Sequence, residues 1–385
     1  MILKAELLSP IFIGCGDEYT QLDYYIENNK AKIVDLEKAL QDLGDINAIN
    51  EISELILQNT FGNRVEINAK ELLEEFNLNP EDYVVKEIYS EIKSNSRTRV
   101  KKFITTNNSY YIPGSSIKGA IRTAYLFKYY DNHFSELLKI INSREIPIHE
   151  KGIAAEVKAI EGKINIKKGR IQKNIQNDFF KYLKVSDSLE LTKKKFRFIQ
   201  TKRLKGTRTT KGIPINLEAY YEGKFKFKIK VEDEFIKKVN EMLETNYKDG
   251  YELLKDICNN FSKTIVEYEL NKRYNKEIIN FYKDLLDEIN NSNSIFLNLG
   301  FAGGFISKTL YLLFWKNDKS LSLFNTIKGF YLNLYKNNRN SFNAWRKARN
   351  YYEFPSTKTF YVRYIQSRGL VAKKPLGWIK IEGIE

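Results

Sequence analysis

The sequence predicts an α+β fold whose elements follow the order strand, helix, strand, strand, helix, strand. Short segments that alternate between apolar and polar residues indicate strands, and long segments with apolar residues three and four positions apart indicate helices. This is the ferredoxin-like split βαβ order (βαββαβ), here with large helical insertions. We expect an N-terminal region, 1–231, and a largely helical region, 232–385, whose last strands return to the core.

The chain opens with strand-like residues and then turns helical. A first strand is expected within 1–13, ending in the turn Gly14-Cys15-Gly16, and Tyr24–Ile26 indicates a second extended piece. From Asp35 to about Asn77 the three-four spacing of apolar residues predicts a helical insertion, which we place at about 35–100. Its expected role is packing or partner contact.

The later elements are predicted from the same two patterns, the alternation typical of strands and the three-four spacing typical of helices. Tyr182–Leu189 and Ile213–Val231 alternate as strands, and the lysines at 224, 226, 228 and 230 lie on one side of the second. Residues 233 to about 290 have the spacing of one or two long helices. The chain closes with strand-like Phe360–Leu370 and Trp378–Ile381.

A helix is predicted directly after the Pro113-Gly114 turn, with Ser115 or Ser116 as its N-cap. The hydroxyl and the first N–H groups of such a helix form a potential phosphate seat. Lys118 and Arg122 lie four residues apart near the same end, where cations are unfavourable against the helix dipole unless an anion is present. A plain exposed basic face is the alternative interpretation.

The positive charge of the chain is concentrated in one fifth of its length. The net charge is +15, and residues 151–230 carry 22 Lys or Arg against 7 Asp or Glu, whereas the rest of the chain carries 41 of each. Leu191–Leu217, which we expect to be a basic loop, holds nine cations and no carboxylate. Clustered cations of this kind favour a polyanion as partner. A membrane surface is less favoured, because the segment lacks an amphipathic apolar face.

The glycine-rich segment Gly300–Thr309 ends in the Lys-Thr pair of a nucleotide-binding P-loop but lacks the required glycines, since Ala302 and Ser307 stand in their places. ATP or GTP hydrolysis is therefore not expected. A glycine cluster that opens a helix still lets the backbone approach the phosphates of a polymer, and a plain tight turn is the alternative.

Few residues could carry catalysis. His133 and His149 stand beside no serine, cysteine or carboxylate cluster, and Asp187 is interpreted as a structural hydrogen-bond acceptor at a strand end. Cys15 and Cys258 are far apart and have no partners at metal-ligand spacing. No metal, cofactor or catalytic residue is predicted.

Seven segments, taken together, resemble the RAMP superfamily of CRISPR proteins, and within it the fifth subunit of the type III-A Csm effector complex. In chain order they are Leu8–Gly16, Ile112–Ala124, Val185–Ser188, Ile213–Ala219, Leu299–Thr309, Glu353–Lys358 and Pro375–Lys380. The segment Ile112–Ala124, IPGSSIKGAIRTA, is the most specific of them, and all seven follow the order of the family.

The resemblance implies an RRM-like fold and a subunit at the 3′ end of the guide RNA (crRNA), against the repeated backbone subunit and the small subunit. It also implies support of 3′ trimming through recruited host nucleases. RAMP backbone subunits that cut target RNA use an aspartate on a protruding loop, and Leu191–Leu217 has no carboxylate, so target cleavage is not expected. A cytoplasmic location is expected, because no apolar run approaches the roughly 18 residues of a membrane span.

The leading hypothesis is a non-catalytic RNA-binding subunit with three contact regions. Its expected RNA-binding residues are Ser115, Ser116, Lys118, Arg122, Lys202, Arg203, Lys205, Arg208, Lys211, Gly303, Gly304 and Lys308. Two alternatives stay open: a RAMP endoribonuclease that processes the precursor guide, against which the scarcity of histidine argues, and a protein-docking module whose basic loop contacts an acidic partner.

Overall fold

Two main β-sheets with helices packed against them form the described part of the chain. The computed structural model describes residues 1–44, 46–61, 64–92, 99–210, 212–318, 320–355 and 357–384. Mixed α and β structure confirms the predicted α+β class. Within these ranges, no helix is both long and apolar enough to cross a membrane.

The helices and strands have the following bounds. The α-helices are α1 (Leu36–Leu43), α2 (Ile46–Gln58), α3 (Ala69–Glu75), α4 (Gly114–Asn132), α5 (Phe134–Asn142), α6 (Lys151–Glu161), α7 (Asp233–Leu243), α8 (Gly250–Leu270), α9 (Lys276–Asn291), α10 (Tyr311–Asn317), α11 (Leu321–Leu334) and α12 (Arg339–Lys347). The strands are β1 (Ile2–Leu7), β2 (Gly14–Tyr19), β3 (Tyr24–Glu27), β4 (Lys30–Val34), β5 (Thr60–Phe61), β6 (Arg64–Val65), β7 (Val84–Ser90), β8 (Val100–Phe103), β9 (Thr105–Thr106), β10 (Ser109–Tyr110), β11 (Ile166–Lys167), β12 (Arg170–Ile171), β13 (Leu183–Val185), β14 (Phe196–Lys205), β15 (Arg208–Thr209), β16 (Ile215–Tyr220), β17 (Lys224–Val231), β18 (Ile295–Asn298), β19 (Lys358–Ile365), β20 (Gly369–Lys374) and β21 (Trp378–Ile384).

The first sheet has the order β13-β17-β1-β21-β18, and every neighbouring pair in it is antiparallel. Alternate residues of β17 are buried, namely Phe225, Phe227 and Ile229, while the lysines between them are exposed. Helices α4 and α8 pack against each other and against strands of this sheet. The lysine alternation predicted from the sequence is therefore confirmed as one buried and one open face.

The second sheet has the order β2-β8-β16-β14-β7-β4-β3, and β15, β19 and β20 extend it beyond β14. The expectation that Ile213–Val231 forms one strand is wrong, because the chain turns after β16 and enters the first sheet as β17. The interpretation of Leu191–Leu217 as a loop is also wrong. Its longest element is β14, which pairs with β16, β7 and β19, so its apolar residues can be buried between neighbours.

The insertion expected at about 35–100 is helical only in part. Helices α1 to α3 confirm the three-four spacing, and α1 begins after Asp35, whose side chain accepts a hydrogen bond from the Lys38 N–H. The later part of the insertion contributes β7 to the second sheet beside β14. The boundary expected at residue 231 does not separate the sheets, since strands from both sides of it enter each sheet.

A buried carboxylate links three strands of the second sheet to β10. Glu218 in β16 is 1% exposed and accepts hydrogen bonds from the Lys86 ammonium, the Tyr110 hydroxyl and the Phe103 N–H, the last at 3.0 Å. Burial raises the pKa of Glu218 and lowers the pKa of Lys86. A buried pair of this kind is costly to break from one side, because the remaining charge is left without compensation.

We therefore expect Glu218→Ala to lower the free energy of unfolding by about 3–5 kcal/mol, measured by urea denaturation. The control is Glu222→Ala, which removes a half-exposed carboxylate 2.9 Å from Lys195 and should cost at most about 1 kcal/mol. Equal losses in the two variants would contradict a special role for Glu218.

Candidate nucleic-acid interface

A hairpin at the end of β14, which we call the basic hairpin (residues 202–210), carries four of the eight cations that the sequence predicts to contact RNA. Beyond Thr201 strand β14 leaves β16 and pairs with β15, with Lys205 opposite Arg208 around a turn that contains Gly206. Gly206 has φ 61°, and a Cβ there would lie 3.2 Å from the Arg273 carbonyl oxygen, so a side chain at this position would be strained. The cations of the hairpin are Lys202, Arg203, Lys205 and Arg208.

These four cations have no ion-pair partner among the described residues. Arg203, Lys205 and Arg208 are exposed and Lys202 is half-buried. Lys211, which the sequence places with them, lies outside the described residues. The hairpin therefore presents positive charge that the described part of the protein does not neutralise.

A groove of about 800 Å³ lies between the basic hairpin, the turn after α8 and the segment after α12. Its charged lining residues are Lys205, Lys272, Arg273, Lys347, Arg349 and Glu353. Sequence reasoning missed Arg273, Lys347 and Arg349, because charges outside 151–230 balance overall. The cation-rich run Arg346–Arg349 is the signal that could have indicated part of this lining.

Lys272 is a cation of this groove whose pKa is lowered by burial. Burial lowers the pKa of Lys272 to about 8, the nearby Glu269 carboxylate opposes this shift, and the Lys358 ammonium adds to it. Glu269 is itself paired with Lys358 at 2.8 Å, with both side chains almost fully buried. The charge on Lys272 is therefore sensitive to pH near neutrality.

A second hollow, of about 400 Å³, is lined by Lys202, Arg203, Ile213 and threonines of β14 and β19. Ile213 is 91% exposed, which is unusual for a large aliphatic side chain. Both hollows are therefore lined in part by residues of the basic hairpin.

The N-cap residue of α4 is not the one that the sequence predicts. The helix begins at Gly114 with Pro113 as N-cap, and neither Ser115 nor Ser116 caps it. The Gly114 N–H instead donates to the Asp187 carboxylate at 2.8 Å, which confirms Asp187 as a structural acceptor. Because an anion already occupies the first N–H group, this helix end is a weaker phosphate seat than the sequence indicated.

Arg122 is engaged within the protein. Its guanidinium donates to Glu156 at 2.7 Å and to Asp178 at 2.8 Å, and it lies over the ring of Phe180. Lys118 is partly buried, and burial lowers its pKa while Asp178 opposes the shift. Cations near a helix N-terminus are unfavourable because of the helix dipole. Here Glu156 and Asp178, from other segments of the chain, compensate for the charge of these two cations.

The glycine-rich segment forms turns and bends from 300 to 310, and α10 begins only at Tyr311, so the expectation that it opens a helix directly is wrong. Gly303 is buried, and a Cβ there would lie 2.2 Å from the Asn298 side-chain oxygen. Gly304 and Lys308 are exposed. Within the described ranges, no hydrogen bond or ion pair links this segment to the basic hairpin.

The two histidines lie in separate places. The His133 ring stacks on Tyr129 with centroids 4.5 Å apart, and its Nδ1 lies 2.9 Å from the Tyr129 carbonyl. His149 lies 3.8 Å from Glu150. Neither is brought to Asp187 by the contacts of the described residues.

Comparison with known proteins gives consistent matches along the chain. The profile of the RAMP superfamily matches residues 4–308. The CRISPR system Cms protein Csm5 of Methanocaldococcus jannaschii is 51% identical over 390 aligned positions, which cover 100% of this chain and 89% of that protein. The protein of the same name from Mycobacterium tuberculosis is 27% identical over 209 residues, 48% of this chain and 54% of that protein.

Two solved structures share the fold. A chain in the cryo-EM structure of a Csm-crRNA-target RNA ternary complex of a type III-A CRISPR-Cas system matches with a TM-score of 0.71 and 24% identity, covering 99% of this chain and 100% of that one. The crystal structure of T. onnurineus Csm5 matches with a TM-score of 0.65 and 23% identity, covering 98% and 99%.

The contact between Asp187 and Gly114 yields a stability prediction. Asp187→Ala should lower the free energy of unfolding by about 1 kcal/mol, because the first N–H of α4 loses its acceptor. Asp187→Asn keeps an acceptor oxygen and should recover most of the loss in the same urea titration. A loss in the asparagine variant as large as in the alanine variant would contradict the capping role.

Proposed function

The chain belongs to the RAMP superfamily, within it to the family of the Csm5 proteins, and on this premise we propose that it is a non-catalytic RNA-binding subunit of a type III-A CRISPR effector complex. We further propose that it caps the 3′ end of the guide RNA and supports maturation of that end and assembly of the complex. Its partners would be the guide RNA, the repeated backbone subunit, the small subunit and recruited nucleases.

The observation that carries this proposal is the basic hairpin beside the 800 Å³ groove. The hairpin cations have no ion-pair partners among the described residues, while Arg273, Lys347 and Arg349 approach from other elements. Cations that remain unneutralised in the folded protein can release counterions when they contact phosphates. We propose that the RNA backbone lies along the hairpin and enters this groove.

The topology of the first sheet supports the ferredoxin-like core that the sequence suggested. Taken as β1, α4, β13, β17, α8 and β21, the chain has the order βαββαβ, and the corresponding sheet order is β13-β17-β1-β21. Under this interpretation β18 is an additional edge strand. The second sheet would then be an elaboration that displays the basic hairpin.

The other predicted contact residues are assigned different roles in the proposal. Lys211 directly follows the hairpin in sequence and is proposed as part of the same clamp. Ser115, Ser116 and Lys118 at α4, and Gly304 with Lys308 in the glycine-rich segment, are proposed as secondary contacts. Arg122 and Gly303 are proposed to support these contacts from within, because one is paired with carboxylates and the other is buried.

Binding by such a surface would position RNA without reading its bases. Lysine and arginine contacts to phosphates carry no sequence information, and their contribution falls as salt rises. A clamp of this kind suits a subunit that must accept guides of any sequence.

The first prediction of this proposal concerns salt dependence. The full chain should bind end-labelled guide-length RNA intact in a salt-titrated gel shift. The double variant Arg208→Ala/Lys205→Ala should bind more weakly, and the slope of log affinity against log salt should fall by about 1–2, one for each phosphate that the variant no longer touches. The matched control is Lys139→Ala/Lys163→Ala, which removes two exposed cations elsewhere.

Position on the guide is tested by cross-linking the unaltered chain in the assembled complex. RNA with a photoreactive uridine at its 3′ end should cross-link to this chain, and RNA with the same group at its 5′ end should not. Shortened RNA in the gel shift would support the endoribonuclease alternative instead. Equal binding by the hairpin and control variants would contradict the clamp.

The second prediction concerns pH. Below about 8 Lys272 is protonated and attracts phosphate, and above it the side chain is neutral. Affinity for guide-length RNA, measured by fluorescence anisotropy at constant ionic strength, should therefore fall between pH 7 and pH 9. In Lys272→Arg the charge persists and the decrease should be smaller. The same decrease in both proteins would show that position 272 does not face the RNA.

A further inference from the structure

On β13, β17 and the start of β1, one side of the first sheet is exposed, and we call this part of the sheet the lysine face. Residues directly opposite each other on neighbouring strands point to the same side of a sheet. Lys184 is opposite Lys230, and Lys228 is opposite Ile2. The lysines of β17 are exposed, while the residues between them are buried.

A hollow of about 1450 Å³ lies at one end of the lysine face, between the sheet and the segment after α9. Aliphatic side chains contribute to its lining, and Met1 and Ile2 are 49% and 44% exposed. The backbone of Met1 accepts a hydrogen bond from the Ile229 N–H at 3.1 Å, so these exposed side chains stand on a paired strand. Exposed aliphatic groups gathered in a concave surface are typical of an interaction site.

Cations surround this aliphatic surface and are only partly neutralised. Lys184 and Lys230 share Glu232, at 2.7 and 3.5 Å. Lys228 lines the hollow, and Lys226 is the next exposed lysine on the same side of β17. Neither forms an ion pair with any described residue. The surface that remains is an apolar floor with an excess of positive charge at its margin.

We propose that the lysine face docks a segment of a neighbouring protein subunit, with aliphatic side chains toward Met1 and Ile2 and carboxylates toward Lys226 and Lys228. An apolar centre with a charged rim is the usual anatomy of a protein–protein interface. Complementary charge at the rim would fix the register of the segment and exclude basic competitors. That the neighbour belongs to the effector complex rests on the proposed function, whereas the docking surface itself does not.

Single-stranded RNA is the less favoured occupant. Base recognition on open sheets relies on exposed aromatic rings, on which bases stack. The aromatic residue that lines this hollow is Tyr251, whose hydroxyl donates to the Asn293 carbonyl at 2.9 Å at the margin of the surface. The exposed apolar groups on the floor are aliphatic, which suits side chains of a protein partner.

The test places a photoreactive p-benzoylphenylalanine at position 384, in place of Ile384, within the full chain assembled with guide RNA and its cognate subunits. Irradiation should give a ribonuclease-resistant adduct to another subunit, and the cross-linked peptide should contain aliphatic residues and carboxylates. The matched control replaces Ile175, which is 86% exposed and does not line the hollow. A ribonuclease-sensitive adduct, a basic peptide, or no adduct would overturn the proposal.

Charge reversal supplies an independent readout. Lys226→Glu/Lys228→Glu should reduce incorporation into the complex about tenfold, because like charges would then meet at the rim. Lys139→Glu/Lys163→Glu should leave incorporation unchanged. Binding of the isolated chain to guide-length RNA should fall no further in the first variant than in the second, so failure of this surface is separated from failure of the RNA clamp. Normal incorporation of the first variant would overturn the proposal.

Discussion

The buried ion pair between Glu218 and Lys86 is the interaction on which the second sheet depends. Glu218 lies in β16 and Lys86 in β7, and β14 runs between these two strands. The pair therefore spans the strand whose far end is the basic hairpin. Because removal of one partner from a buried ion pair is strongly destabilising, this contact stabilises the strands on both sides of β14. The basic hairpin extends from the end of the strand between them.

The cations of the chain fall into two groups that differ in how they are neutralised. Arg122 has two carboxylate partners, and Arg197 lies 3.8 Å from the centre of the Tyr221 ring and 3.6 Å from Glu91. Arg203 follows Arg197 on the same strand and has no ion-pair partner among the described residues. Neutralised arginines stabilise packing, whereas the others retain charge that a polyanion can use.

Each of the two sheets carries one of the two proposed binding surfaces, one for RNA and one for a protein subunit. The second sheet displays cations around hollows suited to an RNA backbone, and the first presents an aliphatic floor with a lysine margin. Both surfaces are positive, but their apolar content differs. Phosphate contact needs little apolar surface, whereas a stable contact with protein needs burial of aliphatic groups. A subunit at the end of a ribonucleoprotein complex would use both kinds of contact.

The sequence by itself determined the fold class, the alternation of β17 and the concentration of positive charge within 151–230. These follow from local periodicity and from charge that no nearby carboxylate balances. The structural role of Asp187 was also predictable, although its partner Gly114 was not.

Only the tertiary structure decided that Leu191–Leu217 forms paired strands, that Arg122 is paired with carboxylates, and that Arg273 and Arg349 lie beside the basic hairpin. The physical reason is that strand pairing and charge neutralisation depend on partners distant in sequence. The sequence around a basic residue does not show whether a carboxylate from another element pairs with it. Whether its charge remains free to contact a ligand is therefore decided by the fold.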